Sequence, residues 1–416
     1  MQGTYAAALA VRKKIRRSRP PTPSFCSPLR KAAWQAPAFL DRCVSMKQLL
    51  VTSLLVCSSL FSSAEESKTQ VYIGTRAEGI YTTWLDSNTG ELSPAKLAVA
   101  VDGSSFIYIH PNQKFLYSCS NIDQQTGAVS AFKVSDDGAL TGFGSEPIKG
   151  KSLCHISLDA TSGMLMGANY GQGSVVSLSI KKDGSLGKFI SLHEHTGSSV
   201  HPSRQKAPHA HSIYSGPSNK FAYAPDLGTD KVMIYSIDPT TAKLTPSGFA
   251  TSPAGAGPRH MKFSKDGAQA YVLNELTVSI SIFSRNSSTG ELTLKETVST
   301  LPEDADKKGI TCSEIRVSKD GKFVYCANRD TAGKGRDSLS AFAVNEQGKL
   351  THIQTIGAEV HIPRNINLDP SGQWLLVAGQ KSNNLPIFKI NPATGMLSYT
   401  QKKIDVPSPM CIEFRK

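Results

Sequence analysis

HMKFSKDGAQAYVLN, residues 260–274, reads as a short alternating strand, a polar turn and a second apolar strand. The plan recurs in FIYIHPNQKFLYSCSN (106–121), HISLDATSGMLMGAN (155–169), HSIYSGPSNKFAYAPD (211–226), EIRVSKDGKFVYCAN (314–328) and NINLDPSGQWLLVAG (365–379). A third alternating strand follows each time, as in VSAFKV, KVMIYSI and SLSAFAV. Every unit then closes on a turn and a leucine: TGEL (89–92), DGAL (137–140), DGSL (183–186), TAKL (241–244), TGEL (289–292), QGKL (347–350) and TGML (394–397). Seven closers at intervals of 46 to 58 residues predict an all-β chain, a seven-bladed β-propeller of four-stranded antiparallel blades. The first unit, VYIGTRAEGIYTTWLDSNTGEL, lacks an opening strand, and the chain ends on an orphan strand, CIEF (411–414). That strand is expected to complete the first blade, which closes the ring and removes its unpaired edges.

A length of 416 residues would allow two or three domains, but the repeat assigns residues 65–416 to one. Hydrophobic residues at 39% are too many for a disordered chain. The formal net charge of +13 points toward nucleic acid only until it is located. Nine Lys and Arg against one Asp fall in residues 1–45, leaving +5 for the rest. Downstream, bases are scattered among acids and form no aromatic-interleaved stripe, so nucleic-acid binding is excluded.

From Met46 the chain reads MKQLLVTSLLVCSSLFSSAEES, with one charge, a short apolar run and small residues up to Ala64. This is the grammar of a signal peptide over 46–64, too short and serine-rich to span a membrane. Cleavage after Ala64 predicts an exported protein, periplasmic or extracellular, without membrane attachment. A lipoprotein reading through Cys57 is disfavoured because Val56 stands where a small residue is wanted. Residues 1–45 precede a complete signal, so the expectation is translation from Met46, with a disordered extension as the alternative. Five cysteines follow the leader, Cys119, Cys154, Cys312, Cys326 and Cys411, without a CxxC. Buried thiols are expected, and a single bridge stays open.

If strand one of each blade lines the channel, two columns converge on one face. The start of strand one reads Phe106, His155, His211, His260, Glu314, Asn365 and Cys411, preceded by residues that include Arg259 and Arg364. The exit of strand two reads Ser120, Asn169, Asp226, Asn274, Asn328 and Gly379, followed by residues that include Glu275 and Arg329. The repeated asparagines suit turn capping. Glu275, Arg329, Arg259 and Arg364 break the pattern and so carry the candidate chemistry. Arginines offer bidentate contacts to carboxylate or phosphate, while His and Glu pass protons near neutral pH. The bland counterpart is a surface ion-pair network. PHAH (208–211) lacks a matching acidic third ligand, so no metal and no cofactor is expected.

APHAHSIYSGPSNKFAYAPDLGTDKV (207–232), GAGPRHMKFSKDGAQAYVLNEL (255–276), LPED (301–304), SKDGKFVYCANR (318–329) and PRNINLDPSGQWLLVAGQKSNNLPIF (363–388) together resemble the seven-bladed propeller lactonase family. That family includes propeller-type 6-phosphogluconolactonases and the 3-carboxy-cis,cis-muconate lactonizing enzymes. The resemblance spans residues 71–416. It implies a catalytic His, Arg, Glu and Arg at His211, Arg259, Glu275 and Arg329, with His209 and Arg364 as substrate contacts. It implies a small anionic or sugar lactone as the partner.

Three functions follow in order of weight. A lactonase, a carboxylic ester hydrolase, would activate water through His211 or Glu275, with Arg259 and Arg329 on the oxyanion and the acid group. A cycloisomerase would use the same groups to open or close a lactone on a dicarboxylate. A non-catalytic propeller would only present its rim to a ligand. Export departs from a cytosolic phosphorylated substrate and favours unphosphorylated sugar lactones.

Overall fold

The computed structural model describes residues 67–123 and 126–416. They form seven sheets, each of four antiparallel strands, and contain no helix. Blade one joins Lys68–Thr75, Gly79–Asp86 and Lys96–Ala100 to the C-terminal strand Pro409–Phe414. The closing strand lies in the register Val71↔Phe414, Ile73↔Ile412 and Gly74↔Cys411, as expected from the orphan CIEF. Ile412 and Phe414 are buried with Val71, Ile73, Leu376 and Trp374, so the closure also fills the seam between the last blade and the first. The leader and the 1–45 segment lie outside the described residues.

Within each blade the inner three strands are buried and the outer one is half wet, as in the pattern of Leu140–Pro147, where one buried residue precedes exposed ones. The leucine of six closers lies in the buried core, and Leu92 of the first packs against it half-buried. The closing turn carries a second function. Tyr72 donates its hydroxyl to the Gly138 carbonyl of the next blade at 2.7 Å. Tyr117 does the same to Gly184 at 2.8 Å, Tyr223 to Gly290 at 2.9 Å, Tyr271 to Gly348 at 3.0 Å and Tyr325 to Gly395 at 2.9 Å. The two remaining junctions use Trp374 Nε1 to the Ser87 carbonyl and Ser177 Oγ to the Ala242 carbonyl, both at 2.8 Å. Each latch is worth about 0.5–1.5 kcal/mol net, and each fixes the angle between neighbouring blades. Gly138 holds φ at +82°, and a Cβ there would run into the Gln70 side chain, so this turn admits only glycine.

The first strands carry a repeated irregularity that decides where side chains point. In Leu153–Leu158, Pro258–Phe263 and Pro363–Leu368 the pairing slips by one residue at Cys154, Arg259 and Arg364. A slip of one between Ala210↔Asp226 and Tyr214↔Tyr223 marks the same bulge in blade four. His211 therefore belongs with Cys154, Arg259 and Arg364, one position before the column in which the repeat alignment put it. Strict alternation cannot register a bulge, because an extra residue inverts every later side chain.

Candidate functional site

The bulge column opens into a cavity of about 1320 Å³ at one end of the central channel. Ser105, Cys154, His211, Arg259, Arg364 and Met410 form its first-strand wall. Glu275, just past the second strand of blade five, and Arg329, at the end of that of blade six, also line it. Its charged lining is Arg76, Lys151, Arg204, Arg259, Arg329 and Arg364 against Asp102 and Glu275.

Glu275 is the hub. One carboxylate oxygen accepts Arg204 Nη2 at 2.7 Å; the other meets Arg259 Nε at 3.0 Å and Arg329 Nη2 at 3.1 Å. Burial pushes its pKa up, but Arg329, Arg259 and Arg204 outweigh that and hold the carboxyl well below the usual range. Arg259, 1% exposed, also donates Nη1 to the Ser313 carbonyl. Burial, then Arg329, depress its pKa against the pull of Glu275. Arg329 donates Nη2 to the Cys312 carbonyl at 2.7 Å, and its buried Nε has no hydrogen-bond partner.

Arg364 differs from the other three. Among the described residues it has no ion pair and no side-chain hydrogen bond, although it lines the same cavity. Burial, followed by the like charges of Arg259 and Arg329, pushes its pKa well down against the pull of Glu275. An unpaired cation in a confined site is costly and complementary to an anion.

His211 is 4% exposed, with Nδ1 4.0 Å from Cys154 Sγ and its ring edge-on to Tyr170. Burial, Arg259, His260 and Arg364 push its pKa far down, which favours the neutral imidazole. The structure brings His211, Arg259, Glu275, Arg329 and Arg364 together. His209 it does not: that ring stacks on Tyr170 at 4.6 Å, with Nδ1 3.0 Å from the Tyr170 carbonyl oxygen, and is not a wall residue. Successive residues on an extended segment point to opposite sides, but the bulge turns His211 inward and leaves His209 to pack behind Tyr170.

Arg204 escaped the repeat reading because it lies between blades three and four, on the 195–210 connection. Asp230 pins that connection by accepting Ser199 Oγ at 2.5 Å and Gln205 Nε2 at 2.7 Å. Asp226 pins its start by accepting His195 Nδ1 at 2.6 Å. The five leader-free cysteines are unbridged. Among the described residues no group of three His, Cys, Asp or Glu is placed to hold a metal ion.

Residues 70–414 match the family described as lactonase, 7-bladed beta-propeller. The chain is 34% identical over 349 residues to a 6-phosphogluconolactonase of Bacillus subtilis, covering 82% of this chain and 97% of that one. A crystal structure of a putative 6-phosphogluconolactonase from Bacteroides fragilis superposes with a TM-score of 0.77 at 30% identity, covering 84% of this chain and 98% of that chain. The Pseudomonas aeruginosa periplasmic gluconolactonase gives the same TM-score at 28% identity, covering 84% and 99%. The seven latched blades, the C-terminal closure and these matches agree: the chain belongs to the seven-bladed β-propeller lactonase family.

Proposed function

We propose that the protein hydrolyses a sugar-derived lactone, an aldonolactone bearing or acquiring negative charge, in the arginine-lined cavity. The carrying observation is the excess of Arg and Lys over carboxylates there, with Arg364 left without a counter-ion. Related proteins named 6-phosphogluconolactonase and gluconolactonase act on this class of ring. In lactone hydrolysis charge builds on the former carbonyl oxygen, and preorganised guanidinium donors stabilise it most in a site shielded from water. Arg259 and Arg329 are suited to that oxyanion, and Arg364 to an acidic substituent.

Glu275 serves as anchor rather than base in this reading. A carboxylate clasped by three guanidiniums is a weak proton acceptor, and its work is to hold Arg204, Arg259 and Arg329 apart and in place. Proton transfer then falls to the neutral imidazoles on the cavity wall, His211 and His260. The leader grammar at 46–64 supports export, as does the likeness to the periplasmic gluconolactonase of Pseudomonas aeruginosa.

The test is proton release from glucono-1,5-lactone, its 6-phosphate and carboxymuconolactone, measured against the spontaneous rates with protein that begins at Glu65. Acceleration of either sugar lactone is expected. Activity confined to carboxymuconolactone would favour the cycloisomerase, and none at all would leave a binding propeller. N-terminal sequencing of exported material should begin at or near Glu65; recovery of residues 1–45 on it would overturn the export reading.

A further inference from the structure

Beneath the arginines, the cavity ends on a layer that includes Phe106, His260 and Asn365. His260, 3% exposed, stands with Nδ1 3.1 Å from Oε2 of Glu314 on the neighbouring blade, within ion-pair distance but off the angle of a formed hydrogen bond. Glu314 is fully buried and immobilised. Its Oε2 accepts Asn365 Nδ2 at 2.6 Å, and its Oε1 accepts the Ile315 amide at 3.1 Å and faces Arg316 Nη1 at 2.5 Å. Asn365 is itself held, since its Oδ1 accepts the Ile412 amide at 3.1 Å. The imidazole's other nitrogen, Nε2, has no protein hydrogen-bond partner among the described residues.

A buried carboxylate behind a cavity histidine costs desolvation that packing alone does not require. The same position holds Phe106, Ser212 and Cys411 in other blades, and there the core is closed without a charge. His155, in the same layer, packs against Phe106 and Tyr214 and has no carboxylate of its own. The two wall histidines also differ. His211 is flanked by Arg259 and Arg364, both opposing an imidazolium. At His260 burial, Arg259 and Lys262 also oppose an imidazolium and push the pKa down, but Glu314, with Arg316 behind it, pulls the other way, which nothing does to the same degree at His211. The remaining neighbours of His260 are the neutral rings of Phe106, His155, His211 and Tyr214. A carboxylate oxygen 3.1 Å from Nδ1 favours the proton on that nitrogen, which leaves Nε2 free to accept, and it stabilises the cation that forms.

We infer that His260, backed by Glu314, is the proton acceptor for the attacking water, and that Glu314 is its positioning residue. The inference rests on the lactonase reading of the cavity. Water oxygen bonds to the lactone carbonyl carbon, its proton passes to Nε2, and the carbonyl π pair moves onto oxygen beside the guanidiniums. Collapse breaks the ring carbon–oxygen bond, and the departing ring oxygen takes the proton back. The product is the open hydroxy acid, and the imidazole is again neutral.

Steady-state kinetics of His260→Gln and Glu314→Gln on a hydrolysed sugar lactone, with ¹⁵N-histidine spectra of the wild type, test this. His260→Gln should lower kcat by about 10²–10⁴-fold with KM within about threefold. Glu314→Gln should lower kcat by roughly 10–10²-fold, again without a matching rise in KM. Wild-type His260 should titrate as the Nδ1–H tautomer, a readout that survives if the glutamate variant fails to fold. Turnover within threefold of wild type in His260→Gln, or an Nε2–H tautomer in the wild type, overturns the inference while leaving lactonase activity intact. If the wild type opens no lactone, the functional reading falls and takes this one with it.

Discussion

Arg259 and Glu275 meet at 3.0 Å across two strands of one blade, sixteen residues apart, with Arg259 1% and Glu275 4% exposed. Two charges so enclosed are stable only as a set, and Arg204 and Arg329 complete it. Removing the single anion leaves three cations facing one another. Glu275→Gln should therefore cost about 3–5 kcal/mol of stability, read as a shift in urea midpoint, besides any loss of turnover. A melting curve unchanged by the substitution would show that the arginines are solvated rather than held.

The same carboxylate gives a signed pH dependence. Its folded pKa is depressed, so its contribution is complete above the unfolded value of about 4.3 and drains away as pH falls toward the folded one. Stability measured downward from pH 5 should fall more steeply in wild type than in Glu275→Gln. Parallel slopes would contradict the clasp.

Arg364 should behave in the opposite way. It has no partner to lose, so Arg364→Ala should leave melting unchanged or raise it. A charge-assisted contact worth about 1.5–3 kcal/mol corresponds to roughly a 10- to 150-fold rise in KM for a phosphorylated lactone. A neutral lactone should be affected far less. Equal losses on both substrates would place Arg364 at the ring chemistry instead of at an acidic substituent.

The blade count was legible because it was written seven times: each TGEL-like closer packs a leucine on the core, and its turn receives the preceding blade's latch on a backbone carbonyl. Glu275, Arg329, Arg259 and Arg364 were legible as departures from that repetition. His211 was found but assigned to the wrong layer, since period-two alternation carries no mark of a bulge. His209 was drawn toward the cavity by proximity in sequence, whereas stacking on Tyr170 turns it away. Arg204 had no column to depart from, and only the buried aspartates that shape its connection bring it to Glu275.

Ring closure makes a separate claim. Deleting residues 411–416 would strip blade one of its inner strand and unpack Ile412 and Phe414 from Val71, Ile73 and Trp374. The exposed edge of Lys68–Thr75 should then pair with other copies. Size-exclusion and light scattering should report aggregation, or calorimetry a large fall in Tm. A truncated chain that stays monomeric and melts like the full one would refute the closure.

Arg204 supplies the last prediction, because its side chain is 37% exposed yet reaches the buried carboxylate at the hub of the site. Asp230 shapes its connection while holding φ at +56°, a conformation asparagine also tolerates. Besides Ser199 and Gln205, Asp230 accepts the amides of Gly255 at 2.6 Å and Gly257 at 2.7 Å, which ties the connection to the segment just before Arg259. Arg204→Ala should lower kcat/KM by about tenfold, the lower end for a charge-assisted hydrogen bond, with little change in Tm. Asp230→Asn should weaken the anchor and lower kcat/KM by a smaller factor, about threefold, through the same arginine. Two residues acting on one contact are not additive, so the double variant should be no worse than Arg204→Ala alone. A loss equal to the product of the two single losses would mean that Asp230 acts on Arg259 and its blade rather than through Arg204.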